Sequence, residues 1–256
     1  MSKLLAVILT KNEVDHIGEC LATLQWTDGA MLQDSFSDDG TVEVAEALGA
    51  TVFQEKFVNF SMTRNSALAN AASMGATWVL FVDADERVPP QLATEILNHL
   101  SQSGSQAVGW WIPRYNIMWG HTMRGGGWYP DHQLRLLKVD AVQYDPNRQV
   151  HELAELTGPA DYLKEHLLHY NYNSLAHFRE KQYKYTNLAA NILYEKGITP
   201  KPWRYITMPL REFHRRYIKL HGYKDGWHGL QLCALMSWYE FLTYFRLKQM
   251  LSLNEK

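Results

Sequence analysis

Apolar residues in the first hundred positions follow two rhythms. Residues 4–10 (LLAVILT) and 77–82 (TWVLFV) are unbroken apolar runs, the mark of strands buried on both faces. Residues 30–34 and 50–54 read as two further strands. Between the strands the period changes. Residues 12–25 place Ile17, Leu21 and Leu24 on one helical face, and residues 42–48 and 62–73 also read as helices. Gly49 and Gly75 stand where those two helices should stop, and Pro89 and Pro90 open another that runs to about residue 100. Strands alternating with helices at this spacing predict βαβ units and a mostly parallel sheet, an α/β fold.

The alternation stops after residue 105. Residues 107–113 and 133–138 read as strands separated by a Gly- and Trp-rich loop, 119–130. From residue 174 the pattern is helical. Ile206, Leu210, Phe213, Tyr217 and Leu220 form one stripe, and Arg211, Arg215 and Lys219 form another at i, i+4, i+8. Pro209 is expected in the first turn of that helix and Gly222 at its end. The predicted organisation is an α/β sandwich over residues 1–172, divided near 105 into two halves. A helical region follows over 173–256.

Composition adds two points. The chain has 256 residues, 46% of them hydrophobic and 20% charged, which excludes disorder, collagen and coiled coil. Its formal charge of −2 hides a gradient: 5 basic against 14 acidic residues over 1–100, and 10 against 4 over 201–256. An acidic front can hold a cation, and a basic tail can face phosphates or an anionic membrane. Two cysteines outside any CxxC pair, Cys20 and Cys233, exclude a zinc framework and fit a reducing compartment, so a cytoplasmic location is expected. No signal peptide or membrane span is expected, since the apolar stretch 230–245 is broken by Gln231 and Glu240.

Ligands of a doubly wound sheet bind beyond the carboxyl ends of its strands. The first strand is followed by Thr10-Lys11-Asn12-Glu13, the second ends in Asp34 and runs into Ser35-Phe36-Ser37-Asp38-Asp39-Gly40-Thr41, and the fourth by Asp83-Ala84-Asp85-Glu86. Neither GxGxxG nor GxxxxGK[ST] is present, so dinucleotide and P-loop readings lose their main support. Asp83 and Asp85, two residues apart at a strand end, offer oxygens to a hard divalent cation, which would also take diphosphate oxygens. The plainer alternative makes them solvated or capping acids. Asp34 is either a turn-forming acid or a hydrogen-bond acceptor for a nucleoside. Ser37 and Asp39 are expected to shape the loop. Arg64 is either a surface charge or a donor fork for a phosphate or base.

Together TKNE, DSFSDDGT, RNSAL and DADER resemble family 2 glycosyltransferases. Residues 128–131 (WYPD), 133–136 (QLRL), 150–152 (VHE), His169-Tyr170, Lys181, Tyr185 and 223–226 (YKDG) resemble, within that family, the lipopolysaccharide core β-1,4-glucosyltransferase group. The resemblance implies a GT-A fold, inverting chemistry, a nucleotide-diphospho sugar donor such as a UDP-hexose, a glycan or glycolipid acceptor, and Mg²⁺ or Mn²⁺. Thr10, Asn12, Glu13 and Asp34 would then hold the nucleoside, and Arg64 the base or diphosphate. Asp83 would sit near ribose and metal, and Asp85 would ligate the metal. Gln33 departs from the family's apolar second strand and suggests an edge or partly solvated position.

Inverting transfer needs a general base for the acceptor hydroxyl. Asp131 is preferred, because an acid followed by Leu134-Arg135 resembles the family pattern. Glu152 is the second candidate. The plainer alternatives are a turn residue for Asp131 and an arginine partner for Glu152. Arg135 is a candidate anion clamp or an orienting partner of Asp131. Lys181 could reach the diphosphate or be solvated, and His169 and His151, ahead of His166, are candidate metal or diphosphate contacts, with a hydrogen-bonded structural histidine as the plainer alternative. Trp110, Trp111, Trp119, Trp128 and Tyr129 fit an acceptor cleft or a core, and Gly125-Gly126-Gly127 fits a mobile lid. The basic tail fits either an inner-membrane surface or a packed helical subdomain. No nucleic-acid partner is expected. Two rival readings are a sugar-nucleotide pyrophosphorylase, which wants a Gly-rich basic loop after the first strand, and a non-catalytic membrane-surface or carbohydrate-binding protein with a degenerate site.

Overall fold

A computed structural model describes residues 3–102, 104, 106–146, 154–172 and 174–254. The chain forms two compact units, Met1–Arg114 with His132–His169, and Tyr115–Asp131 with Tyr170–Lys256.

In the first unit the βαβ pattern is realised as expected. β1 (Leu4–Thr10), α1 (Val14–Ala22), β2 (Ala30–Asp34), α2 (Thr41–Ala47), β3 (Thr51–Gln54), α3 (Phe60–Ser73) and β4 (Trp78–Phe81) follow in turn. They are succeeded by β5 (Glu86–Arg87), α4 (Pro90–Ser101) and β6 (Gly109–Met118). The sheet order is β3-β2-β1-β4, all parallel. The short β7 (His121–Thr122) pairs with the end of β6, and β8 (Asp131–Lys138) adds antiparallel to β4. β9 (Val142–Tyr144) and β10 (Ala154–Leu156) form a separate antiparallel pair, and β11 (Ala160–Tyr162) pairs with β6. Beyond β8 the main sheet continues through β6 and β12 (Leu167–Tyr172) to β5.

β1 is buried on both faces because each face carries its own core. Leu4, Ala6 and Ile8 pack with Ile17, Leu21, Leu92 and Ile96 from α1 and α4. Leu5 and Val7 pack with Ala67, Leu68 and Ala71 from α3. Gln33 is 1% exposed and β2 lies between β1 and β3, so the expected edge position is corrected. The amide is tolerated there because it donates to Glu55 and accepts from Asn70, at 3.1 and 2.8 Å. Trp110 belongs to the core, with ring centroids 5.1 Å from Trp78.

The second unit is built on α5 (Leu175–Glu195), α6 (Arg204–His214) and α7 (Gly226–Asn254), around a core that includes Met118, Met123, Phe178 and Leu232. Pro209 lies in the interior of α6, not its first turn as expected, and the helix starts at Arg204. α6 passes into a π-helical turn, Arg215–Lys219, and the chain turns at His221 with φ 57°. The expected glycine lid is instead tied down. Gly126 N donates to Leu220 O at 2.7 Å, and Arg216 donates to Gly126 O at 2.8 Å with its guanidinium 4.9 Å from the Trp128 ring. A Cβ at Gly125 would lie 2.2 Å from His221 O, so this position needs glycine for close backbone approach. Among the described residues, no helix is long and apolar enough to cross a membrane.

Candidate active site

The loops after β1 and β2 are sewn together. Asn12 N donates to Ser37 Oγ at 2.8 Å and Asp38 N to Asn12 Oδ1 at 3.1 Å. Glu13 N donates to Thr41 Oγ1 at 2.8 Å, Val14 N to Asp39 Oδ2 at 3.1 Å, and Lys11 Nζ to Phe36 O. The first amides of α1 are thus capped from a loop some 25 residues away, where a local cap would normally serve. Asn12 itself sits at φ 57°.

Asp34 is the anchor of this weave. It is fully buried, and its carboxylate accepts from Thr10 Oγ1 (2.9 Å), Ser37 N (2.8 Å), Ser37 Oγ (2.5 Å) and Gln54 Nε2 (3.1 Å). Burial pushes the carboxyl up, but the Ser37, Gln54 and Thr10 donors outweigh it and hold its pKa below the ordinary value. Four donors occupy the lone-pair sites of one carboxylate. Beside these loops lies a pocket of about 410 Å³, lined by Thr10, Lys11, Glu13, Ser35, Phe57 and Phe60. Phe57 and Phe60 meet edge-on, centroids 5.1 Å apart, and each is about half exposed. Exposed aromatics beside a polar loop give a flat ring a stacking surface.

The end of β4 is organised by full charges. Both Asp83 oxygens receive Arg135, which also donates to Glu86 Oε1 at 2.9 Å. Arg114 donates to Glu86 Oε1 at 2.7 Å, and Asp83 N donates to Glu86 Oε2 at 2.9 Å. Glu86 is wholly buried, and Arg135 is 4% exposed. Burial raises the Asp83 pKa, but Arg135, then Arg64 and Arg114, outweigh it and hold the group well below the carboxylate range. Arg64 itself lies with its guanidinium 4.8 Å from the Phe81 ring and 5.6 Å from that of Tyr144.

Asp85 has a different neighbour. Its Oδ2 lies 3.4 Å from His169 Nε2. The antiparallel pairing of β12 with β5 sets His169 opposite Glu86 and so brings the imidazole to this strand end. Carboxylate oxygen and imidazole nitrogen together form a donor pair that suits a divalent first-row cation. Among the described residues no group of three such side chains forms a closed metal cage. A cation held by this donor pair would keep most of its coordination sphere for water or other oxygen ligands, as hard divalent cations commonly do.

The structure thus gathers Thr10, Asn12, Glu13 and Asp34 around the β1 and β2 ends, and Asp83, Asp85, Arg64, Arg135 and His169 around the β4 end. Asp131 and Lys181 fall in the second unit. Asp131 is the first residue of β8, which sets aside the plainer alternative of a turn residue, and its Oδ2 accepts from Asn116 Nδ2 at 3.1 Å. Asn116 is buried and also donates to Trp128 O at 2.7 Å. Lys181 stands on α5 with its ammonium 5.2 Å from the Tyr172 ring. Glu152 and His151 lie outside the described residues. Sequence reading named Glu86 in the strand-end cluster without giving it a role, and passed over Arg114, Asn116, Phe57 and Phe60. Arg114 and Asn116 carried a usable signal, because polar groups in the apolar strand GWWIPRYNIM demand buried partners.

A parallel strand order of 3-2-1-4, extended by antiparallel strands and carrying polar clusters at the strand ends, is a mixed α/β arrangement of the GT-A type. The model of glycosyl transferase family 2 matches residues 6–152, more than half of the chain, and the protein belongs to that family. It is 25% identical over 257 residues to the lipopolysaccharide core biosynthesis glycosyltransferase LpsC of Rhizobium meliloti (strain 1021), covering 95% of this chain and 91% of the relative. It is 23% identical to an uncharacterized glycosyltransferase of Rickettsia felis, covering 98% and 91%. Among solved structures, mannosyl-3-phosphoglycerate synthase from Rubrobacter xylanophilus is 17% identical over 78% of each chain, with a TM-score of 0.45.

Proposed function

We propose that this glycosyltransferase moves a hexose from a UDP-linked donor to a hydroxyl of a glycan or glycolipid, with inversion at the anomeric carbon, in lipopolysaccharide core synthesis. The acceptor class follows the likeness to LpsC over nearly the whole of both chains. Two buried free cysteines agree with a cytoplasmic site of action.

The observation that carries the reading is the division of labour among the strand-end carboxylates. Asp34 holds the nucleoside pocket in shape through neutral donors. Asp83 has its charge met by arginines. Asp85 lies beside His169, and these two residues would hold Mg²⁺ or Mn²⁺. Such a cation neutralises charge developing on the diphosphate leaving group. Phe57 and Phe60 offer the uracil a stacking wall. Arg64, which acts electrostatically on Asp83, would add positive charge at the diphosphate.

Asp131 takes the proton from the acceptor oxygen as that oxygen bonds to the anomeric carbon and the bond to the diphosphate oxygen breaks. Asn116 steadies the Asp131 carboxylate for this. Lys181 is the second-unit cation assigned to the diphosphate.

The test is mass-spectrometric detection of UDP released from UDP-glucose and UDP-galactose in the presence of lipopolysaccharide core acceptor. Asp131→Asn should abolish release while leaving UDP binding intact. If Glu152→Gln does so and Asp131→Asn does not, the base is Glu152. Absence of release from every nucleotide sugar offered overturns the reading.

A further inference from the structure

An amphipathic helix on a globular protein normally turns its apolar stripe inward. α6 does so only in part. None of its residues is buried, although Phe213 of its apolar stripe is half-buried. Its inward side packs on α7, where the Tyr205 ring lies 6.3 Å from Phe241 and Ser237 Oγ donates to Pro209 O at 2.7 Å. The rest of its apolar surface faces out. Ile206 is 66% exposed, Leu210 63% and Trp203 57%, and the stripe continues to Ile218 at 48%.

Charge runs alongside. Residues 201–219 hold six Lys or Arg and one acid, Glu212. That acid is already taken by Arg215 and Arg216, at 2.7 and 2.6 Å. Arg204, Arg211, Arg215 and Lys219 fall along one side of the apolar stripe by helical spacing. Lys201 lies with its ammonium 5.1 Å from the Trp203 ring, at the start of the helix.

We propose that α6 and its π-helical extension lie flat on an anionic phospholipid surface. Leu210 and Ile206 would enter the acyl boundary, Trp203 would sit at headgroup level, and the basic stripe would meet lipid phosphates. A short helix with an outward apolar stripe, a basic flank and a tryptophan at one end is the composition of an interfacial anchor. Charge complementarity selects anionic lipid, because a second copy of this chain would bring the same positive stripe to the contact. The inference is independent of the catalytic reading, since it needs neither donor nor turnover.

The test is sedimentation of the full chain with phosphatidylethanolamine–phosphatidylglycerol vesicles and with phosphatidylcholine vesicles. Binding to the anionic vesicles should be at least about tenfold tighter and should weaken at high salt. Trp fluorescence should be quenched by brominated acyl chains. Ile206→Glu with Leu210→Glu should lose binding with an unchanged melting temperature, because both side chains are exposed. Arg211→Glu should lose the preference for anionic lipid. Equal binding to both vesicle types, or full binding by the Ile206→Glu, Leu210→Glu variant, overturns the proposal. So does a dimer in light scattering that the same variant dissociates.

Discussion

Asp34 and Asp83 end parallel strands two places apart in one sheet, and they are held in opposite ways. Asp34 is gripped by hydroxyl and amide donors, so its charge is stabilised without a countercharge. Asp83 is gripped by arginine, so its charge is spent in a network with Glu86 and Arg114. The difference teaches that the two acids of a DxD pair can sit in unlike surroundings. In this chain the first carboxylate is held in the protein's own ion network, and the second lies beside His169. On the proposed function the second would be the main cation ligand.

The strongest way to break the comparison is Arg135→Met. Glu86 and Asp83 then lose their main partner, and removing one member of a buried ion network costs about 3–5 kcal/mol. Chemical denaturation should show that loss. A cost below about 1 kcal/mol would mean the network holds little.

Asp85→Asn sharpens the same contrast. Turnover should fall by more than about 100-fold while the denaturation midpoint stays put, because a metal ligand is needed for chemistry and not for the core. Asp34→Asn is expected to do the reverse in part. The new amide sets an N–H against Ser37 N or Gln54 Nε2, for a stability cost of about 1–2 kcal/mol. UDP affinity should fall as the pocket loosens, with little change in metal dependence.

The smallest effect is in acid. Asp34 and Asp83 both have lowered pKa values in the folded state. Each therefore contributes stability that is complete above the unfolded carboxylate pKa, about 3.9, and is lost as pH falls below it. Melting temperature should show no pH dependence from either group between pH 5 and 7, where the contribution of both is complete, and the Asp34→Asn variant should have a shallower acid limb below about pH 4.

Much of this was legible from residue patterns. The unbroken runs at residues 4–10 and 77–82 located the central strands, and the three polar clusters do follow β1, β2 and β4 as expected. What escaped has a physical reason. Gln33 looked like an edge residue because a sequence does not display Asn70 and Glu55 arriving from elsewhere to satisfy an amide. Pro209 looked like a helix start because its missing N–H is cheapest there. The glycine run looked mobile, yet close backbone approach by His221 is the other use of glycine. The β4-end network was half visible: DADER showed the acids, while Arg114 and Arg135 come from strands that pair only in three dimensions.

The central claim is that Asp85, with His169, makes nucleotide binding cation-dependent. Isothermal titration of UDP into the protein, with Mn²⁺ and with EDTA, tests it most directly. Wild type should bind UDP at least about tenfold more tightly with Mn²⁺, and Asp85→Asn should bind equally weakly in both. An Asp85→Asn variant that keeps the full Mn²⁺ enhancement would contradict the account.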